Sequence, residues 1–289
     1  MAVRKHRSCR LFAVDLDGTL LNYHGRPHEV DVEALRMLRE RGVAVSFVTG
    51  RLYGGVVEAV EAVGLEGPVV CADGSHIVDA ISGEEHFHHP FRGETLGRLQ
   101  RVFQRHGLAS FLLSRDHAIH DRKGLPFLKY LRIWTERFLH HEDEITKHPL
   151  WEQDVTVLVS VGEEEKLRPL HREVQEEGGE QAQSWVFQVS WPFREEGYKG
   201  LWGMVARAPG SSKGTAVEWL ARHYGCSLEE VVVVGDWYND LPMFQVAGRS
   251  FAMGQAPDTV KSAATDVLEA TAVTGGGIAE AARRAGLLP

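Results

Sequence analysis

Polar side chains occur in four groups, each where the sequence predicts a strand to end or a helix to begin. Asp15 and Asp17 directly follow the apolar run Leu11–Val14. Two carboxylates at this spacing can face one crevice at the carboxyl end of a strand, and Gly18 lets the backbone turn sharply beside a ligand. By itself, the pair is equally typical of a turn with solvated carboxylates.

The other three groups lie further along the chain. Thr49 ends the second predicted strand, and Lys213 opens a predicted helix, whose N-terminus favours an anion. Asp236 follows the strongest strand signal, Val231 to Val234. Because random surface polarity would not select such places repeatedly, the whole set indicates a functional site. The three later groups contain Thr49, Gly50 and Arg51 in the first, Lys213 in the second, and Asp236, Asn239 and Asp240 in the third.

The elements that must position these residues alternate between strand and helix patterns in the first and last thirds of the chain. Predicted strands cover 11–14, 43–48, 68–71, 231–234, 250–253 and 266–268, and predicted helices cover 30–41, 56–63 and 215–224. Short apolar strands separated by helices are typical of a parallel sheet covered on both faces. We therefore predict an α/β fold with a doubly wound, Rossmann-like parallel-sheet core.

The middle of the chain breaks this rhythm. Val155 to Val161 and Trp185 to Val189 alternate as antiparallel strands with one solvated face do. We predict an inserted α+β cap domain at 86–203 and a catalytic core formed by 1–85 and 204–289. Five of the seven tryptophans lie in the insert, where we expect them mainly to fill its core: Trp134, Trp151, Trp185, Trp191 and Trp202. The histidine clusters are interpreted as surface residues rather than metal ligands: His86, His88 and His89, and His140 with His141.

Composition limits the possible partners. The 289 residues carry 32 basic and 40 acidic side chains, a formal charge of −8, which argues against binding to nucleic acid or anionic membranes. The three cysteines, Cys9, Cys71 and Cys226, lack the spacing of a zinc site or a disulfide framework. The N-terminal apolar stretch is too short for a signal peptide, and no run reaches the length of a membrane span. We expect a cytoplasmic protein.

The ordered set of motifs resembles the haloacid-dehalogenase-like hydrolase superfamily. DLDGTLL is similar to its nucleophile motif, and the threonine of VTGR to its second motif. Lys213 in SSKG resembles the third motif, and GDWYND the fourth. The long insert and the later Ala252-Met253-Gly254 most resemble the Cof-type branch, which has a large α/β cap of type IIB.

This resemblance implies a role for each matching residue. Asp15 would attack a phosphate ester and become an aspartyl phosphate, and Asp17 would protonate the leaving alcohol and then activate water. Mg²⁺ would be bound by the Asp15 and Asp236 carboxylates and the Asp17 backbone carbonyl, with Asp240 in the surrounding layer. The implied phosphate- and substrate-binding residues are Gly18, Thr49, Gly50, Arg51, Lys213 and Asn239, although Arg51 fits a surface ion pair equally well.

Electrostatics independently favours a metal ion. Four carboxylates in one crevice would repel each other by about 4 kcal/mol per close pair at ~4 Å and an effective dielectric constant of ~20. Lys213 alone cannot balance them and a phosphate, whereas Mg²⁺ suits a site with oxygen ligands and a phosphate. The same crowding should raise the pKa of one carboxyl group, which would let Asp17 donate a proton while Asp15 stays ionised.

Two positions depart from the family pattern. Asp73 stands where many relatives have asparagine, which adds negative charge near the site. Trp237 stands in the fourth motif where relatives often have a small or polar residue, and we expect it to pack beneath the loop rather than line the cavity.

Other functions fit less well. Gly210 to Gly214 matches the GxSxG serine-hydrolase pattern, but the last histidine, His223, comes before Asp236, so the order of serine, acid and histidine is not completed. Neither a P-loop nor a dinucleotide-binding motif occurs. We predict a phosphatase acting on a small phosphorylated metabolite, with a sugar phosphate as the first candidate, and no prediction of oligomeric state follows. The alternatives are a phosphotransferase or phosphomutase with the same intermediate, and a non-catalytic phosphometabolite-binding protein.

Overall fold

The computed structural model describes residues 9–189 and 200–289, so Trp191 lies outside the described residues. Its strands are β1 (Leu11–Val14), β2 (Ala44–Phe47), β3 (Pro68–Cys71), β4 (His76–Asp79), β5 (Glu85–His88), β6 (Ala109–Ser114), β7 (His117–His120), β8 (Phe138–His140), β9 (Val157–Gly162), β10 (Gln183–Gln188), β11 (Trp202–Arg207), β12 (Val231–Gly235), β13 (Arg249–Ala252) and β14 (Asp266–Val267). Its α-helices are α1 (Glu29–Glu40), α2 (Val57–Val63), α3 (Gly93–His106), α4 (Leu128–Leu131), α5 (Glu164–Gly178), α6 (Lys213–His223), α7 (Leu241–Val246), α8 (Asp258–Ala263) and α9 (Gly277–Arg284).

The first compact unit contains residues 9–50, 57–86 and 211–289 and is built on a parallel sheet. The strand order is β14-β13-β12-β1-β2, and an isolated parallel bridge between Val48 and Val70 places β3 beside β2. Helix α1 packs against α2 and α9, whereas α6 packs against α7, which packs against α8. The chain winds outward from β1 in one direction and from β12 in the other, so the predicted doubly wound α/β fold is confirmed.

The apolar strands explain why this sheet is buried. Successive side chains of a strand point to opposite faces, and all four residues of β1 are fully buried. Leu11 and Ala13 belong to one core cluster with Val217 and Leu220 of α6 and Phe244 of α7. The hydrophobic strands are thus covered by helices, so the polar side chains of a functional site must lie in the loops at the strand ends.

The second unit contains residues 51–56, 87–189 and 200–210. Its sheet has the order β10-β11-β9-β6-β7-β8, with antiparallel pairs except for parallel β7 and β8. Helices α3 and α5 pack together against one face, where Leu99, Leu158 and Leu170 share a core. Trp151 is buried in this core and Trp202 packs against it, as expected, whereas Trp185 is 45% exposed, so the core-filling expectation is wrong there.

The unit boundaries differ from the predicted core of 1–85 and 204–289 and insert of 86–203. Strand β11 pairs along its whole length with β9 and β10, so the second unit continues to residue 210. Residues 51–56 also belong to it, because Leu52 N–H donates to the Trp134 carbonyl and Gly55 packs so closely that a Cβ would lie 2.5 Å from the same oxygen. Sequence patterning missed both, since neither depends on local periodicity. The functional division into catalytic core and cap stays a prediction.

Two further properties concern the described part of the chain. Cys9, Cys71 and Cys226 are free thiols there. None of its helices combines the length and the apolar character needed to cross a bilayer.

Candidate active site

Asp15 and Asp236 leave the two central strands of the parallel sheet. Asp15 follows β1, and its N–H donates to the Val234 carbonyl of β12 at 3.0 Å. Asp236 follows β12 directly. Because the chain runs from β1 to one side and from β12 to the other, their carboxyl ends border the crevice where doubly wound sheets bind ligands.

Lys213 is the buried cation of this crevice. It is the first residue of α6, and the preceding Ser212 caps the helix through reciprocal hydrogen bonds with Thr215. The Lys213 Nζ donates to Asp15 Oδ1 at 2.5 Å and to Asp240 Oδ1 at 2.6 Å, and its side chain is fully buried. Lys213 therefore links the loop after β1 to the loop after β12.

Asp240 fixes the loop after β12. While Oδ1 accepts from Lys213, Oδ2 accepts from the N–H groups of Asp236 and Trp237 at 2.8 and 2.9 Å. Gly235 is required by this arrangement, since a Cβ there would lie 2.5 Å from Asp240 Oδ2. With both oxygens engaged, Asp240 orients the loop and Lys213. Its place in the layer around the metal ligands stays a prediction.

Asp236 differs from Asp240 because only one of its two carboxylate oxygens has a hydrogen-bond partner among the described residues. Oδ2 accepts from Gln255 Nε2 at 3.2 Å, whereas the buried Oδ1 has no hydrogen-bond partner among the described residues. Within residues 9–189 and 200–289, Asp15, Asp236 and Asp240 also form a group whose candidate ligand atoms lie within 4.8 Å of one another. A cation would satisfy the remaining oxygen, so the donor set fits a metal with oxygen ligands.

The turn after Asp15 lies against Asp236. Gly18 has φ +81°, and a Cβ on it would lie 2.3 Å from Asp236 Oδ2, so only glycine fits. Gln255 Nε2 donates to the Gly18 carbonyl at 2.6 Å as well as to Asp236. Asp17 in this turn is half-buried, and its predicted role as acid and carbonyl ligand stays a prediction.

A second side of the site is formed by the loops after β2 and β3. Thr49 is fully buried, and its carbonyl accepts from Asp73 N–H at 2.9 Å. Asp73 has φ +52°, an unusual conformation for a residue other than glycine. Its Oδ1 accepts from Asn239 Nδ2 at 2.8 Å, and a Cβ on Gly50 would approach that oxygen to 3.3 Å. Asp73 therefore joins Thr49 and Gly50 to the loop that carries Asn239.

Burial and crowding shift the pKa values of the site. Burial raises the pKa of Asp15 well above its usual range, and Asp240 and Asp236 raise it further against the opposing effect of Lys213. Burial and the neighbouring Asp240 raise the pKa of Asp236 to about 8. Burial by itself would lower the pKa of Lys213, but the Asp15 and Asp240 carboxylates raise it. Crowding and burial therefore raise the pKa values of Asp15 and Asp236. The expectation that Asp15 stays ionised while Asp17 donates a proton concerns the metal-bound site and stays a prediction.

Three residues correct or extend the sequence-based interpretation. Trp237 is 49% exposed, so the expectation that it packs beneath the loop is wrong. Gln255 was missed, although it follows β13 and the AMG motif and so obeys the same rule of a polar residue after a strand. Arg51 lies in the second unit and donates through Nη1 to the Gly55 carbonyl at 2.9 Å, and its substrate contact stays a prediction.

Comparison with known proteins agrees with this geometry. The family model for haloacid dehalogenase-like hydrolases matches residues 12–281. The chain belongs to the haloacid dehalogenase-like hydrolases. The predicted family and hydrolase class are thereby confirmed.

Individual relatives of this family match over most of their length. The chain is 26% identical over 285 residues to pyridoxal phosphate phosphatase YbhA of Escherichia coli, covering 90% of this chain and 93% of that protein. It is 27% identical over 251 residues to the HMP-PP phosphatase of Cronobacter sakazakii, covering 86% and 85% respectively.

Solved structures of haloacid dehalogenase-like hydrolases share the fold. One from Bacteroides thetaiotaomicron has a TM-score of 0.82 at 22% identity, covering 96% of this chain and 100% of that chain. A subclass IIB sugar phosphatase has a TM-score of 0.74 at 19% identity, with coverage of 96% and 100%. These likenesses confirm the predicted α/β fold.

Proposed function

We propose that this protein is a Mg²⁺-dependent phosphatase that hydrolyses a small phosphorylated metabolite through an aspartyl phosphate on Asp15. The observation that carries the proposal is that the buried carboxylates differ in their hydrogen bonding. Lys213 bridges Asp15 and Asp240, while Asp236 keeps a buried oxygen that nothing in the described part of the chain satisfies. A purely structural cluster would be expected to pair all of its oxygens.

The charge balance supports a divalent cation. When ionised, the carboxylates of Asp15, Asp236 and Asp240 and the ammonium of Lys213 sum to −3 + 1 = −2. The Asp15 and Asp236 carboxylates, with the Asp17 carbonyl, would hold Mg²⁺. When bound, the ion would offset the charge of the carboxylates and the phosphate and orient the phosphoryl group.

The residues of the chain then divide the reaction into two displacements. Lys213 holds Asp15 Oδ1, which leaves Oδ2 as the attacking atom on phosphorus. As the phosphorus–oxygen ester bond breaks, Asp17 gives its proton to the leaving alcohol. Asp17 then takes a proton from water, the water oxygen attacks phosphorus, and inorganic phosphate leaves while the Asp15 carboxylate is restored. Thr49, Gly50, Lys213 and Asn239 would contact the phosphoryl oxygens.

The substrate is proposed as a class. YbhA and the HMP-PP phosphatase are named for small phosphorylated metabolites, which supports the same class here. A sugar phosphate, the first candidate from the sequence, is one member of that class.

The proposal is tested by phosphate release from p-nitrophenyl phosphate, using protein stripped with EDTA and then supplied with Mg²⁺. We expect turnover only with Mg²⁺, and an acid-stable, base-labile radiolabel on the wild-type chain but not on Asp15→Asn. Asp31→Asn is the matched control, because Asp31 is a buried carboxylate of the same unit outside the site. Metal-independent turnover, or labelling of Asp15→Asn, would contradict the proposal. Products formed with acceptor sugars distinguish a hydrolase from a phosphotransferase.

A further inference from the structure

Two large aromatic side chains directly follow Asp236 and remain open to solvent. Trp237 and Tyr238 are each 49% exposed. Their ring centroids are 5.3 Å apart with an interplanar angle of 77°, an edge-to-face pair. Aromatic residues are enriched where proteins bind other molecules, and adjacent exposed rings on a loop otherwise held by buried groups indicate a contact surface.

The backbone that carries the indole is held by Asp240. Trp237 N–H donates to Asp240 Oδ2, the oxygen that also accepts from Asp236 N–H. Asp240 is fully buried, and its N–H donates to the Trp237 carbonyl at 2.9 Å. Adjacent Cα atoms are about 3.8 Å apart. The Asp240 carboxylate therefore fixes the backbone of both Asp236 and Trp237. The indole is therefore carried by the residue next to Asp236, the proposed metal ligand.

We propose that Trp237, braced edge-on by Tyr238, is a stacking platform for the leaving group, and that the protein prefers phosphate esters whose leaving group carries a planar aromatic ring. This inference rests on the proposed phosphatase function. The pair offers broad π surface but only an indole N–H and a phenol O–H as polar groups. A polyol needs several hydrogen-bond partners to replace water, whereas a flat ring needs a face on which to stack.

The test compares two probes with matched alkyl leaving groups, benzyl phosphate and cyclohexylmethyl phosphate, which differ in the planarity of the ring. In wild-type protein we expect the kcat/KM of benzyl phosphate to exceed that of cyclohexylmethyl phosphate. Trp237→Leu keeps an apolar side chain without a π face and should lower this ratio about tenfold, since stacking on an aromatic ring has roughly this worth. Trp237→Phe should retain most of the preference.

The matched control is Trp219→Leu, which makes the same change in the same unit. The Trp219 ring is stacked on His223 at 5.0 Å and lies 5.7 Å from His86, on α6 rather than on the site loop. We expect its benzyl-to-cyclohexylmethyl ratio to equal that of wild type. In Trp237→Leu the loss should appear in KM, because stacking on the ring is equal in the bound substrate and the transition state, whereas a distorted loop would lower kcat for both probes.

The outcomes separate this inference from the phosphatase proposal. If wild-type protein hydrolyses p-nitrophenyl phosphate but shows no benzyl preference, the stacking platform is refuted and the phosphatase proposal stands. An equal loss for both probes in Trp237→Leu, or the same ratio change in Trp219→Leu, also refutes the platform. Absence of Mg²⁺-dependent hydrolysis of every phosphate ester refutes the phosphatase proposal and the inference with it.

Discussion

Buried carboxylates of the first unit and partly buried carboxylates of the second meet opposite electrostatic environments. In the first unit, burial raises the pKa values of Asp15, Asp31 and Asp236. In the second unit, burial also acts to raise the pKa of Asp154, but the guanidinium of Arg115, 2.9 Å away, holds it below the usual range. Burial likewise acts to raise the pKa of Asp116, but His117 and Arg137 hold it below the usual range.

The difference separates carboxylates that stabilise the fold from carboxylates that cost stability. A carboxylate with its own cation favours the folded state, whereas a crowded buried carboxylate opposes it. Asp31 occupies a middle position, because it is fully buried yet accepts three hydrogen bonds, from the N–H groups of Gly276, Ile278 and Ala279. Among residues 9–189 and 200–289, only the Asp15–Asp236–Asp240 group is both crowded and partly unsatisfied, and strain of this kind is typical of functional sites.

The largest effect is expected for Asp15→Asn. Without a nucleophile, kcat should fall by at least about 10⁴-fold, as removal of an attacking side chain does in other enzymes. Steady-state phosphate release at saturating Mg²⁺ measures this, and circular dichroism checks that the variant is folded. Activity within tenfold of wild type would show that the crowded carboxylates of the first unit do not serve catalysis through Asp15.

Asp236→Asn should have the next largest effect. Replacing one anionic ligand oxygen by an amide weakens Mg²⁺ binding, so kcat/KM at a fixed, subsaturating Mg²⁺ concentration should fall about 100-fold. A Mg²⁺ titration of activity should show a higher half-activating concentration, while Asp31→Asn keeps the wild-type value. An unchanged titration curve would mean that the open Asp236 oxygen does not serve a metal.

Asp31→Asn should affect stability rather than chemistry. The amide cannot accept all three backbone hydrogen bonds, so we expect a loss of about 1–3 kcal/mol in the free energy of unfolding. The pKa of Asp31 is higher in the folded state than in the unfolded state. The contribution of this shift to the free energy of unfolding is therefore fully present below the unfolded pKa and is lost as the pH rises through the folded pKa. The cost of the substitution, measured by urea unfolding, should therefore be larger at pH 4 than at pH 8.

The smallest effect, with the opposite pH trend, is expected for Asp154→Asn in the second unit. Its lowered pKa stabilises the fold above the unfolded pKa, and this contribution is lost as pH falls through the folded pKa. The ion pair with half-exposed Arg115 should contribute under about 1 kcal/mol. Urea unfolding should detect the loss at pH 7 and little of it at pH 3. Parallel pH trends for Asp31→Asn and Asp154→Asn would abolish the proposed contrast.

Local patterns predicted the first unit well because its strands are short, apolar and covered on both faces. The predicted strand over 68–71 coincides with β3, and those over 11–14 and 231–234 match β1 and β12 to within one residue. The second unit was harder, since residues 51–56 and 204–210 join it through contacts with Trp134 and with β9 and β10. Such contacts leave no periodic signal in the chain.

The site shows the same division. Lys213 and Asp236 were predictable, because a strand end and a helix start mark their positions in the sequence. The hydrogen bond from Gln255 to Asp236 and the exposure of Trp237 were not, since they depend on how three loops meet. Asp73 was recognised as unusual, but its hydrogen bond with Asn239, 166 positions away, appears only in the folded chain.

The amino-acid sequence alone determined the doubly wound sheet and the identity of the polar groups at its strand ends, because side-chain periodicity and turn chemistry are local properties. The family was indicated by the resemblance of its ordered motifs. Tertiary structure decided which of those groups share charge. It brings Lys213 to Asp15 across 198 positions, directs one oxygen of Asp240 to Lys213 and the other to the loop after β12, and leaves one oxygen of Asp236 open among the described residues. Electrostatic energy depends on distance and burial, and both are fixed only when the chain has folded.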